Sequence, residues 1–349
     1  MPLKFNRSIA IANLEVPRLA GSNKDSYKDS YKDSHDHGDS SRYNKEVLKL
    51  TQLTAGFHMN SSLGRSLGLL FLLLIAPICQ AQTTFTFTAI PDQNEAHLQE
   101  RFDKVAVYLQ QELGVEVRYI PVKSYASAVT AFRNDQVQLA WFGGLSGVQA
   151  RRLVPGSQAI AQGYEDQLFS SYLIAHSSTG INKSEEFPTE IAGKTFTFGS
   201  KGSTSGRLMP EYYIRQHLLA APSKVFAKVG FSGDHSRTIA LVQAGAYQVG
   251  AVNFKVWDTA LAAGKIDSSK VKVIWQTPSY PDYQWTVRGD VAKRFGAGFQ
   301  QRLTDALLNM SDPELLASFP RQSFIKANNA LYQPILDTAV SIGLIDAQP

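Results

Sequence analysis

Phe85-Thr86-Phe87-Thr88-Ala89-Ile90 decides how the chain is read, because apolar and polar residues alternate there with the period of a half-buried strand. Leu98, Phe102, Val105, Leu109 and Leu113 then recur at helical spacing, and Gly114 stops the run. Glu116–Val122 reads as a second strand, and Ser124 is placed to cap a helix through Phe132. Val137–Phe142 is a third strand, closed by Gly143-Gly144, with another helix from near Ser146. This βαβαβ order predicts a largely parallel sheet covered by helices, an α/β fold.

Ser170–His176 reads as a strand leading out of this first block. A second block repeats the alternation: a strand at Lys194–Phe198, a polar glycine loop, a helix to about Leu219, then Val225–Val229, a helix over Thr238–Ala244, and Val249–Val252. Val271–Gln276 returns toward the first block, Pro278 and Pro281 bracket a rigid loop, and Gln284–Arg288 is a further strand. The tail is expected to be helical over Val291–Asn309, Pro313–Phe319 and Ala330–Ile342. The expected division is a first lobe from 83–175 and 278–349 and a second from 176–277. Ligands commonly bind in the cleft of such a layout, and hinge closure is its natural motion.

Phe198-Gly199-Ser200-Lys201-Gly202-Ser203-Thr204-Ser205-Gly206 lies between a strand and a helix. At that junction free backbone N–H groups and the positive end of the helix dipole converge. Ser203, Thr204 and Ser205 add three hydroxyl donors, and Gly202 and Gly206 let the backbone come close. An oxyanion suits such a place, since hydrogen bonds to charged groups contribute roughly 1.5–3 kcal/mol each. A well-capped helix after an ordinary loop would carry the same residues. Pro210, early in the helix, is expected to kink or delay it.

Several other chemistries are excluded. Gly202–Gly206 has Thr204 where a nucleophile elbow needs serine, and Gly193-Lys194-Thr195 has Pro188 where a phosphate loop needs its first glycine. Asp234 and His235 are adjacent, whereas a triad needs histidine to bridge two other side chains. Beyond residue 81 there is no cysteine, and His97, His176, His217 and His235 have no metal-site spacing, so no metal or cofactor is expected. Tyr125 at a helix start, Trp141-Phe142-Gly143-Gly144 at a strand end and Tyr283-Gln284-Trp285 are each open to a cleft or a core reading.

The amino-terminal stretch differs from the rest. Leu67–Ile78 is a twelve-residue apolar run interrupted only by Gly68 and Pro77, shorter than the about 20 residues of a membrane span. With Met59 and Arg65 before it and Cys79 and Ala81 after it, residues 59–81 read as a secretory signal peptide leaving Gln82 first. Residues 1–58 contain Lys-Asp-Ser-Tyr at 24–27 and 28–31 and read as a disordered low-complexity extension or a mis-assigned start. Ten of the 35 basic and seven of the 30 acidic residues fall in 1–81, leaving 25 against 23 in the remainder. That balance offers no electrostatic footprint for nucleic acid.

Leu139-Ala140-Trp141-Phe142-Gly143-Gly144, Ser203-Thr204-Ser205-Gly206 with Leu208 and Pro210, and Lys272-Val273-Ile274-Trp275 resemble the phosphonate/phosphite-binding family of periplasmic ABC-transporter proteins, a likeness spanning nearly all of 84–345. Ala89-Ile90-Pro91-Asp92, Phe231-Ser232-Gly233-Asp234-His235 and Tyr283–Asp290 look closest to its branch assigned to selenate transport. The resemblance implies the type II periplasmic binding fold, two α/β lobes joined by two crossovers with the ligand between them. It implies Tyr125 and Phe142 as cleft aromatics and Ser203, Thr204 and Ser205 as the anion loop. Phe142 departs from members with tyrosine there, and Asp234-His235 and Asn253 occupy the region where aminophosphonate binders hold an amine. An amine-free ligand is therefore expected (selenate, selenite, phosphite or a simple phosphonate), with His235 donating to it and Asn253 nearby. The implied role is a monomeric periplasmic binding protein that docks on an ABC permease driven by an ATPase. An exported hydrolase built on Ser203 or Ser205, or a sensor subunit, would reuse the same fold.

Overall fold

The computed structural model of the protein describes residues 83–347, so the expected signal peptide at 59–81 and the segment 1–58 lie outside the described residues. β1 (Phe85–Ala89) leads into α1 (Glu95–Leu113), which starts where Asn94 accepts from Ala96 N–H and stops at Gly114 in the left-handed region, φ 67°. Its expected apolar stripe, Leu98, Phe102, Val105, Leu109 and Leu113, is buried throughout. β2 (Val117–Tyr119), α2 (Tyr125–Arg133), β3 (Leu139–Phe142) and α3 (Gly144–Leu153) complete the expected order. β4 (Gln158–Gly163), which the sequence reading missed, follows before the chain leaves this lobe.

The second lobe holds β5 (Ser171–His176), β6 (Thr195–Phe198), α4 (Met209–Leu218), the short α5 (Pro222–Val225), β7 (Lys228–Phe231), α6 (His235–Gln243), β8 (Val249–Asn253), α7 (Phe254–Ala262) and β9 (Val271–Gln276). The chain then returns through β10 (Gln284–Val287), α8 (Val291–Phe295), α9 (Phe299–Leu308), α10 (Pro313–Ser318), β11 (Phe324–Lys326) and α11 (Gln333–Ser341). The single helix expected over Val291–Asn309 is two, because Gly296 and Gly298 take φ of 86° and 78° between them.

The first sheet has the order β11-β4-β10-β3-β1-β2 and the second β7-β6-β8-β5-β9. β1, β2 and β3 are parallel, as are β6, β7 and β8. In each sheet the strand arriving from the other lobe, β10 or β5, runs antiparallel to both neighbours. β5 corrects the expected lobe boundary at 175/176: Ser171–Ala175 pair with Val249–Asn253, so the chain has already crossed by Ser171. The two crossings lie side by side, with Phe169 and Tyr280 exchanging backbone hydrogen bonds of 2.9 Å in both directions.

Each sheet is buried on both faces, as strands under helices should be. Phe87, Phe102, Trp141, Trp285 and Phe319 form an aromatic core in the first lobe. In the second, Leu173, Phe196, Phe198, Ala251 and Trp275 fill one side, and Ile174, Val242, Val252 and Trp257 the other. The carboxyl ends of β3 and β6 therefore meet at the junction of the lobes, where Leu145 N–H from one bonds Thr204 from the other.

Candidate functional site

The loop after β6 is built by its proline. In a regular helix the N–H of residue 210 would bond the carbonyl of Gly206, but Pro210 has none. Gly199 N–H takes that carbonyl instead at 2.8 Å and ties the loop to the helix start. The first turn, Thr204–Leu208, is consequently a wide π-turn, and regular helix begins only at Met209. Ser203 Oγ caps it, accepting from Gly206 N–H at 2.8 Å. A side chain at 206 would come within 2.9 Å of Ser203 Oγ and 3.0 Å of His235 Cε1, so only glycine fits.

The first lobe answers with another helix start. Gly144 N–H donates to Asp282 Oδ1 at 2.8 Å, and Leu145 N–H donates to Thr204 Oγ1 at 3.0 Å. Thr204 Oγ1 lies beside the Asp282 carboxyl. A Cβ at Gly143 would lie 3.1 Å from Asp282 Oδ1, so the glycine pair makes room for the carboxylate. Tyr125, first residue of α2, is buried and packs against the loop across the lobes, its Cβ 3.1 Å from where a side chain at Gly202 would begin.

His235 opens α6 with no exposed surface. Its Nδ1 accepts from Asn253 N–H at 3.3 Å, which puts the ring proton on Nε2. Burial alone drives its pKa down to about 3, so the ring is neutral and Nε2–H is a neutral donor. That Nε2 has no hydrogen-bond partner, and neither has Ser205 Oγ nor Asp282 Oδ2. The Tyr280 hydroxyl lies near Ser205 but is engaged with Ser171 Oγ at 2.6 Å. Buried polar atoms are nearly always paired, so three orphans around one loop call for an explanation. Two are donors, and the third belongs to a carboxyl whose pKa is pushed up to about 7, chiefly by burial and further by Asp166, against the opposing pull of Thr204 and the Gly144 N–H.

The arrangement suits a small oxyanion carrying one proton. The Ser205 hydroxyl and the His235 imidazole are neutral donors for it, and Asp282 either accepts the ligand's proton or supplies its own. Among the described residues, no group of three or more His, Cys, Asp or Glu side chains is placed to hold a metal ion.

Of the residues singled out from the sequence, Tyr125, Ser203, Thr204, Ser205, His235 and Asn253 are brought together here. Asn253 is buried, caps α7 by accepting from Val256 N–H, and donates through Nδ2 to the Tyr283 hydroxyl at 2.9 Å. Phe142 lies in the core of the first lobe, edge-on to Phe132 at 5.6 Å. Sequence reading missed Asp282 and the Gly144 and Leu145 N–H groups. The available signal for Asp282 was an acidic residue beside Pro281 in a segment crossing between lobes.

Residues 87–332 match the family of ABC-transporter phosphonate periplasmic substrate-binding proteins. The chain is 40% identical over 277 residues to a probable ABC transporter phosphite binding protein, PhnD1, of Prochlorococcus marinus strain MIT 9301, covering 77% of this chain and 93% of that protein. The crystal structure of that PhnD1 with methylphosphonate superposes with a TM-score of 0.72, covering 75% of this chain and 99% of the other. The binding-protein component of a phosphonate ABC transporter from Pseudomonas aeruginosa, 21% identical, shares the fold with a TM-score of 0.66, covering 74% and 86%. The type II periplasmic binding fold expected from the sequence is thus the fold of the chain.

Proposed function

Since the chain belongs to the phosphonate family of periplasmic substrate-binding proteins of ABC transporters, and is a carrier rather than an enzyme, we propose that it captures phosphite or a small phosphonate between its lobes and presents it to a permease. The family's setting is the periplasm, and residues 59–81 would direct export there. The bound anion is held unchanged and the carrier acts as a monomer.

The observation that carries this reading is the trio of buried, unpartnered atoms: Ser205 Oγ, His235 Nε2 and Asp282 Oδ2. A tetrahedral anion bridging them would satisfy two donors and share a proton with the third. Phosphite, phosphonates and selenite are weak acids that hold a proton near neutral pH, whereas selenate and sulfate do not. The proton-sharing carboxyl therefore favours the first group, and the one relative described as a phosphite binding protein, whose structure was solved with methylphosphonate, supports its phosphorus members.

The test is calorimetry of the purified protein with phosphite, methylphosphonate, phosphate, selenite, selenate and sulfate at matched pH. Tight binding of phosphite or methylphosphonate, with sulfate and selenate far weaker, is the expected result. Failure to bind any of the six, or a preference for selenate, would overturn the proposal.

A further inference from the structure

Four residues behind the anion site close a ring of hydrogen bonds that runs twice across the lobe boundary. Tyr283 Oη–H donates to Asp92 Oδ2 at 2.9 Å, and Asn253 Nδ2 donates to Tyr283 Oη at 2.9 Å. Asn253 N–H donates to His235 Nδ1 at 3.3 Å, and His235 N–H donates to the Asp92 carbonyl at 3.1 Å. Asp92 and Tyr283 belong to the first lobe, Asn253 and His235 to the second.

All four side chains are buried, with exposures of 4% or less. Each lobe also fixes its half independently. The Tyr283 ring stacks on Trp141 at 5.5 Å with the Arg321 guanidinium over it at 5.3 Å, and Asn253 Oδ1 is held by Val256 N–H. The Tyr283 hydroxyl has one proton and gives it to Asp92 Oδ2, leaving the phenolic oxygen to accept from Asn253. Opening the lobes breaks the Asn253–Tyr283 and His235–Asp92 bonds together and returns their groups to water.

We propose that Asp92, Tyr283, Asn253 and His235 form a closure latch that holds the lobes together and aims His235 Nε2–H at the anion. Asp92 and Tyr283 act as positioning residues, through Asn253 and His235. This rests on the reading of the cleft as an anion site and adds to it a control of ligand release. A latch formed only on closure slows dissociation and leaves the encounter of ligand with the open form unchanged.

The variants Tyr283→Phe, which keeps the ring stacked on Trp141, and Asn253→Ser, whose hydroxyl can still cap α7 but carries no amide donor, test this. Both should dissociate phosphite faster and bind it about three- to tenfold more weakly, with association rates within about twofold of wild type. Because both break the same interlobe bond, the double variant should lose less than the product of the two single losses. Folded single variants with unchanged dissociation rates, losses confined to association, or multiplicative losses in the double variant would each overturn the latch. Interlobe distances between spin labels on ligand-free wild type and Tyr283→Phe supply a readout independent of the ligand. A shift toward longer distances in the variant supports the latch, and identical distributions overturn it. Wild type that binds neither phosphite nor methylphosphonate sinks the ligand assignment alone, and the distance measurement still decides the latch.

Discussion

Thr204 Oγ1 of the second lobe sits on the helix start of the first, accepting from Leu145 N–H at 3.0 Å. The same hydroxyl lies beside the Asp282 carboxyl, which holds Gly144 N–H at 2.8 Å. One side chain therefore links two helix starts and the carboxyl between them, and it can do so only with the lobes closed. Replacing it with the near-isosteric Thr204→Val removes the hydroxyl and leaves the buried Leu145 N–H unmet. The expected loss in phosphite affinity is about 1–3 kcal/mol, whereas Thr204→Ser, which keeps the oxygen, should lose far less. Calorimetry on both variants checks this; equal losses would mean that the methyl group, and not the hydroxyl, matters.

Ser205 offers the opposite balance between stability and binding. Its Oγ is buried without a partner, so the hydroxyl does nothing for the ligand-free fold that water would not do better. Ser205→Ala should leave thermal stability unchanged or slightly raised and weaken phosphite binding by about 1–3 kcal/mol. A variant that unfolds more readily yet binds normally would show that Ser205 is structural.

The alternation of apolar residues made both lobes legible, because strands and helices buried in a two-lobed α/β fold must carry their periods in the sequence. The Ser-Thr-Ser loop was legible too, since Pro210 and the glycines announce an irregular helix start. What escaped were partners supplied by distant segments. Asp282 is 78 positions from Thr204 in the chain, and nothing local to either residue says that they meet. Similarly, β4 pairs with β10 and β11, and β11 with β4 alone, both antiparallel, and the small and polar residues of Gln158-Ala159-Ile160-Ala161-Gln162-Gly163 carry little strand signal. Asp166 and Arg321, a buried ion pair at 2.8 Å, tie that late strand region to the turn before β5 without any motif to mark them.

Asp282 is the residue expected to separate protonated from fully ionised oxyanions. Asp282→Asn keeps an oxygen for Gly144 N–H and turns the unpartnered atom into an amide donor. Such a donor suits an anion with no proton to share. The variant should lose affinity for phosphite and gain it for sulfate and selenate, so that the ratio of the two affinities shifts by about tenfold or more, the worth of one charge-assisted hydrogen bond. Competition calorimetry measures that ratio directly. An unchanged ratio would mean that Asp282 shapes the loop without reading the ligand's proton.

Asp282 and His235 should also pull the pH dependence of stability in opposite directions. Burial raises the Asp282 carboxyl from 3.8 to about 7, so between those values the folded state keeps a proton that the unfolded chain has released. Its stabilising contribution is full below the lower value and is lost as pH rises through the upper one. Burial lowers His235 from 6.5 to about 3, so over that interval the unfolded chain takes up a proton that the folded state refuses. Its contribution is present above the unfolded value and is lost as pH falls toward the folded one. In the shared window, about pH 4 to 6.5, the two slopes oppose each other in the wild type. Removing one group should expose the other. Relative to wild type, Asp282→Asn should gain stability as pH rises through that window, and His235→Gln should lose it. Urea unfolding of the ligand-free proteins at several pH values across the window measures both differences. Slopes of the same sign in the two variants would contradict the assignment of a neutral imidazole and a protonated carboxyl facing the same anion.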